Sequence, residues 1–276
     1  MDHERGGCPG AGAFAAVVLG GDRRADDPVA RGAGVLSKSL VPVGGRAMVL
    51  RVLDALGASR QVGMRILCGP ARSALAHDAE LGRRIAAGEI TWIEPRATPS
   101  LSAEAALETI PAGVPVLLTT ADHALLRPEI VDDFCVRARA AAADVAVGVA
   151  PYELVKAAYP ATRRTAIRLR DGGYCGSNLF AFLTPSSRAV VGFWRRVEQE
   201  RKRPLRLVAG VLGWVAVLRY GLGRMTLAEG LARVSARTGL RVAAVILPFP
   251  EAAVDVDTLE DLRLVRAIVG DGVRSD

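Results

Sequence analysis

The stretch from Phe14 to Met48, FAAVVLGGDRRADDPVARGAGVLSKSLVPVGGRAM, decides how the rest of the chain is read. Its first six residues, Phe14 to Leu19, are an unbroken apolar run that stops at Gly20 and Gly21, as a strand buried on both faces would. A long loop follows with Arg23, Arg24, Arg31 and Lys38, and then a second glycine pair, Gly44 and Gly45. Glycines directly after a strand let the backbone come close to a ligand, and their N–H groups can ring a phosphate. Arginine adds planar forks for phosphate oxygens, and lysine a compact charge. The pattern predicts a polyphosphate site at the end of the first strand of an α/β sheet. A dehydrogenase-type Rossmann loop is disfavoured. No G-x-G-x-x-G follows the strand, and the next helix starts too late to place a pyrophosphate on its N-terminus.

Strand and helix patterns alternate outward from this stretch. Helical spacing runs over Ala47 to Leu56 and over Ala71 to Ile85, with a short apolar strand at Met64 to Leu67 between them. Ile90 to Ile93 reads as a strand, and Ser100 or Ser102 can cap a helix through Leu107. Val114 to Thr119 is a central apolar strand, Arg127-Pro128-Glu129 opens a helix, and Asp144 to Val149 is again a strand. Such alternation predicts a mostly parallel sheet with helices on both faces, and ligands beyond the strands' carboxyl ends. Asp122 falls there, beside His123. A carboxylate at the end of a buried strand is costly unless it is paired or bound to metal, although it could also cap the following helix.

The alternation changes from Tyr152. Thr165 to Leu169 and Leu179 to Leu183 read as strands around the glycine-rich stretch Asp171 to Asn178. Ser186 to Arg237 reads as consecutive helices, Arg241 to Leu247 as a strand and Thr258 to Val269 as a closing helix. Asp255 and Asp257 alternate on an expected strand and so share one face, while Asp257-Thr258-Leu259-Glu260 is also a good helix start. The expectation is one domain, with a core of about 13–185 and 241–270 and a helical insertion at about 186–240.

Leu19-Gly20-Gly21-x-Arg23-Arg24 and Lys38-Ser39-Leu40-Val41-Pro42-Val43-x-Gly45-x-x-Met48 resemble the signature loop of sugar-phosphate nucleotidyltransferases, and most closely that of the MobA-like NTP transferases. Val116 to Asp122 is similar to the strand that ends in that family's metal-binding aspartate. Val254 to Leu262 is similar to its late aspartate strand and helix. The family's third loop glycine is replaced here by Asp22-Arg23-Arg24-Ala25. The resemblance implies a GT-A-like nucleotidyltransferase fold, an NTP donor, Mg²⁺ and release of pyrophosphate. It assigns Leu19, Gly20, Gly21, Lys38 and Ser100 to the nucleotide, and Arg23, Arg24, Lys38 and Asp122 to catalysis. For the metal it points to Asp122 with Asp255, and to Asp257 in second place because of its possible capping role. His123 is expected to be a cleft-wall residue, since Mg²⁺ prefers oxygen. Asn178 becomes a candidate for the acceptor's polar groups, or else an ordinary asparagine in a glycine-rich turn.

Composition fits this reading. The net charge of +7 suits anionic ligands. The basic residues are scattered and only 5% of residues are aromatic, which argues against a nucleic-acid surface. Cys8, Cys68, Cys135 and Cys175 are widely spaced and form no C-x-x-C, as expected of free thiols in a reducing compartment. MDHERGGCPGAG has no apolar signal core and reads as a loose tail, and no apolar run reaches bilayer length, so the expected location is the cytoplasm. The basic cluster Arg201-Lys202-Arg203 next to the apolar run through Tyr220 is expected to be core, an acceptor-pocket wall or a peripheral membrane contact.

The leading expectation is therefore transfer of an NMP from an NTP to a phosphorylated small molecule or lipid head group. The alternatives are molybdenum-cofactor-type nucleotidyl transfer and a nucleotide-binding regulator without turnover. A GT-A glycosyltransferase would need a DxD at the end of a central strand, and Asp255-Val256-Asp257 lies far from it.

Overall fold

The computed structural model describes residues 13–24, 26–162, 164–200 and 219–270. The first strand, β1 (Phe14–Leu19), has neighbours on both sides of it and layers on both faces. Phe14, Ala16 and Val18 enter one core cluster, and Ala15 and Val17 enter another, all fully buried. A strand covered on both faces has no position for a polar residue, which accounts for the unbroken run.

The chain continues through α1 (Pro28–Gly32), the short hairpin β2 (Pro42–Val43) and β3 (Arg46–Ala47), α2 (Met48–Ala58) and β4 (Val62–Cys68). Then come α3 (Arg72–Leu75), α4 (Ala79–Ala86), β5 (Thr91–Ile93), α5 (Pro99–Glu108), β6 (Val116–Thr120) and α6 (Pro128–Ala140). The later elements are β7 (Val145–Pro151), α7 (Tyr152–Ala158), β8 (Ile167–Leu169), β9 (Gly172–Phe182), α8 (Val190–Glu200), α9 (Leu227–Thr238), β10 (Val242–Ile246) and α10 (Leu259–Val269). The main sheet has the order β10-β7-β9-β6-β1-β4-β5, with β8 paired to β9. Its pairs are parallel except for those made by β9, which runs antiparallel to β6, β7 and β8. Helices α2 and α6 cover the Phe14 face, and α5 and α8 the Ala15 face.

Several local expectations are corrected. The single helix expected over Ala71 to Ile85 is two, because Asp78 starts α4 anew by accepting the Leu81 N–H at 2.9 Å. Thr98, rather than Ser100 or Ser102, caps α5. The glycine-rich stretch expected to separate two strands lies inside the long β9. Residues 254–257, expected as a strand, have no regular structure and lead into α10, which Thr258 and Asp261 start with a reciprocal capping box. The apolar run expected as a further helix falls on residues outside those described, apart from its last two positions.

Candidate active site

Three loops meet beyond the carboxyl ends of β1 and β6, where the strand order reverses direction around β1. The first carries Gly20 and Gly21 and turns through Asp22, Arg23 and Arg24. Asp22 takes the place of the missing glycine and has its own role. Its carboxylate accepts the backbone N–H of Lys38 at 2.8 Å, which ties the start of the loop to its end and sets the turn that presents the lysine. The second loop follows β6 and carries Asp122. The third is the 254–257 segment, pinned beside the second by a hydrogen bond from the Val256 N–H to the Asp122 carbonyl at 3.1 Å.

Lys38 joins all three. Its Nζ lies 2.7 Å from Asp122 Oδ2 and 2.9 Å from Asp257 Oδ1, with the lysine side chain only 18% exposed. Burial is the largest single influence on Lys38 and works against its charge. The charges and hydrogen bonds of Asp122 and Asp257 together outweigh it and carry the ammonium's pKa above its ordinary value. Asp257 shows the converse: burial raises its pKa, but Lys38, through its hydrogen bond and charge, holds it below the usual carboxylate range.

Asp255 does not share the face of Asp257, because the segment is not a strand. One of its oxygens pairs with Arg164 Nη1, and the other accepts from Asn178 Nδ2 at 2.7 Å. Arg164 Nη2 also donates to the Asp255 carbonyl at 2.6 Å and to Asp261 at 2.7 Å. Burial, with the nearby Asp122 charge adding to it, raises the pKa of Asp255. Asn178 sits in β9 with φ of 52°, in the left-handed region, where the β7–β9 register shifts between Val147 and Val149. A bulge of this kind re-aims a side chain, here into the cleft.

The cleft holds a cavity of about 510 Å³. Leu19, Gly20, Gly21, Arg23, Arg24, Lys38, Asp122, Asn178 and Asp257 line it at one end, and Phe180, Phe193, Trp194 and Val147 line its apolar continuation. Asp255 and Ser100 are not among the lining residues. Ser100 is fully buried, and its hydroxyl donates to Glu198 at 2.5 Å. His123 is buried as well, rather than on the cleft wall, and burial pushes its pKa down to about 4. Cys68, Cys135 and Cys175 are buried free thiols, while Cys8 lies outside the described residues.

The sequence pattern marks neither Arg164 nor Gly69, and it marks Asp22 only as a departure from the family's loop. Gly69, after β4, has φ of +99°, and a Cβ on it would lie 2.6 Å from the Gly21 nitrogen. Gly20 and Gly21 therefore rest against the glycine that follows the neighbouring strand. Tight contact of two backbones shows in sequence only as one more glycine.

Among the described residues no three His, Cys, Asp or Glu side chains gather into a metal site, so a hard divalent cation would have two carboxylates to use here. Asp122 and Asp257 are carboxylates on separate loops, and the Lys38 ammonium already stands between them as a cation. Asp122 Oδ1 is buried and has no hydrogen-bond partner among the described residues.

Comparison with known proteins agrees with the fold. The chain shares 36% identity with a structure described as a hypothetical transferase from Thermus thermophilus, over 91% of this chain and 99% of that one, with a TM-score of 0.75. At 11% identity it resembles 4-diphosphocytidyl-2C-methyl-D-erythritol synthase from Anaerococcus prevotii (TM-score 0.57, covering 94% of this chain and 99% of that one). At 15% it resembles CMP:2-keto-3-deoxy-manno-octonic acid synthetase complexed with CTP (TM-score 0.54, the same coverage). These two likenesses establish the architecture alone. No curated protein matches the chain. The family model of the MobA-like NTP transferase domain matches residues 16–241, from the third residue of the buried first strand to the residue before the last strand. The chain belongs to the MobA-like NTP transferase family.

Proposed function

We propose that the protein is a Mg²⁺-dependent nucleotidyltransferase that moves an NMP from an NTP to a phosphorylated acceptor. The observation that carries this reading is the meeting of Lys38, Asp122 and Asp257 in a cavity that Gly20 and Gly21 also line.

The triphosphate lies against the Gly20–Gly21 backbone, with Arg23 and Arg24 at the open side of the cavity. The acceptor's phosphate oxygen attacks the α-phosphorus, the bond from that phosphorus to the bridging oxygen breaks, and the electron pair leaves with pyrophosphate. A phosphate monoester is anionic at neutral pH, so no general base is required. Positioning and electrostatic stabilisation are the catalytic contributions. Asp122 and Asp257 would hold the cation, with Asp255 behind them in the grip of Arg164 and Asn178. The chemistry supplied by a Mg²⁺ held there would be neutralisation of phosphate charge. Lys38 and Arg23 or Arg24 neutralise the charge that builds on the leaving pyrophosphate. Asn178 faces the acceptor. The apolar continuation of the cavity supports an acceptor with an apolar body, such as a lipid head group on its chain, over a wholly polar sugar phosphate. NTP is a cytoplasmic metabolite, and the reading places the enzyme there.

Calorimetry with a non-hydrolysable NTP tests the donor half. The wild-type chain should bind one of the four common NTPs, and Lys38→Ala should weaken that binding at least tenfold. Unchanged affinity in the variant would remove Lys38 from the nucleotide site.

A further inference from the structure

We infer that Lys38 occupies the cation seat in the free chain, so that nucleotide and divalent cation bind as a linked pair, each favouring the other. The inference rests on the nucleotidyl-transfer reading of the same cleft and adds an order of events to it.

The Lys38 ammonium stands 2.7 Å from Asp122 and 2.9 Å from Asp257, at hydrogen-bonding distance from carboxylates of two separate loops. Four carboxylates line the cavity, and of these Asp122 and Asp257 converge on the Lys38 ammonium, while Asp22 accepts the Lys38 N–H and Asp27 those of Val29 and Ala30; Asp255, nearby, already has one oxygen on Arg164 and the other on Asn178. A cation that takes the Asp122–Asp257 pair therefore competes with Lys38 for it. Sharing the pair with Lys38 would press two positive groups together at about 3–4 Å, where repulsion is strong in a partly desolvated site. Displacing Lys38 costs two charge-assisted hydrogen bonds. Both routes make binding of a divalent cation alone weak.

A triphosphate changes this balance. The Lys38 backbone is fixed, since Asp22 holds its N–H. The four-carbon stem has rotatable bonds of its own, and it lines the same cavity as Gly20, Gly21 and Arg23. Polyphosphate oxygens offer the ammonium new partners of equal charge, and its departure opens Asp122 and Asp257. The coupling is reciprocal by linkage, so whatever the nucleotide does for the cation, the cation does for the nucleotide.

The test uses Mn²⁺ as the probe, without nucleotide, followed by calorimetry and by the Mn²⁺-dependent rise in melting temperature. Lys38→Met removes the charge and keeps the length. It should bind Mn²⁺ roughly tenfold or more tightly than wild type, the scale of one lost ion-pair competitor in a partly buried site. Lys38→Arg keeps a cation there and should stay as weak as wild type. Adding Asp122→Asn to Lys38→Met should abolish the gain, which places it at this site. Lys38→Gln is the second neutral variant if Lys38→Met does not fold. Neutral variants that bind Mn²⁺ no tighter than wild type would overturn the inference. Binding of a non-hydrolysable NTP to the same wild-type sample separates the two claims. NTP binding with no Mn²⁺ gain in the variants sinks this inference alone, whereas a Mn²⁺ gain with no NTP binding keeps Lys38 in the cation seat but sinks the functional reading and the linkage with it.

Discussion

Replacing Arg164 by methionine should destabilise the protein more than any other single change at the cleft. The guanidinium is 10% exposed and serves two carboxylates, Asp255 at 21% and Asp261 at 15% exposed. Removing one partner of a buried ion pair typically costs about 3–5 kcal/mol, because the remaining charge stays desolvated. Water reaches part of both aspartates, which lowers the expected cost to about 2–4 kcal/mol. For a chain of this size that is a fall in melting temperature of about 5–15 °C. The measurement is thermal unfolding of Arg164→Met in the wild-type and Asp255→Asn backgrounds. Most of the cost is assigned to the Asp255 contact, so Arg164→Met should lose about half of its effect or more once Asp255 is neutral. A penalty under about 1 kcal/mol, the range of an exposed ion pair, would refute the reasoning. So would a penalty unchanged by Asp255→Asn.

Two further predictions test the walls of the site. Gly69→Ala places a methyl group against Gly20 and Gly21 backbone atoms, in a conformation alanine disfavours. It should weaken binding of a non-hydrolysable NTP at least tenfold, while Gly113→Ala, whose Cβ would meet nothing within 4 Å, should leave it unchanged. Equal affinities would detach Gly69 from the loop. His123 is held down to about 4 by burial, below its ordinary 6.5, so the unfolded chain takes up the proton first as pH falls. Stability present at neutral pH is then lost between about 6.5 and 4, by up to about 3 kcal/mol. Urea unfolding at pH 7 and pH 4 should show a smaller loss for His123→Leu than for wild type, and identical losses would contradict the burial argument.

The parts of the fold that were legible in sequence are those set by a single local cause. The Phe14 to Leu19 run has to be apolar because both of its faces are covered, and Gly20 with Gly21 follows where its backbone packs against that of Gly69. Asp122 stood out because a carboxylate rarely ends a buried strand. What failed depended on partners distant in sequence. Asp255 was ranked above Asp257 on the assumption of a strand, and because Asp257 could cap α10. The capping falls instead to Thr258 and Asp261, which leaves Asp257 to meet Lys38, 219 residues away. Arg164 looked like any other arginine, since nothing local marks a side chain that will clamp Asp255 and Asp261 more than 90 residues later. Ser100 was placed at the nucleotide by resemblance, and the helix that carries Glu198 turns it inward.

Release of pyrophosphate is the most direct measurement of the central claim. Each of the four NTPs is incubated with Mg²⁺ and a panel of phosphorylated acceptors, polar sugar phosphates and lipid head-group phosphates among them, using wild type, Asp122→Asn and Asp257→Asn. The account predicts acceptor-dependent pyrophosphate from one NTP, falling at least 100-fold in both variants while their melting curves stay cooperative. Pyrophosphate released equally by wild type and both variants, or by none of them with any NTP across the panel, would contradict it.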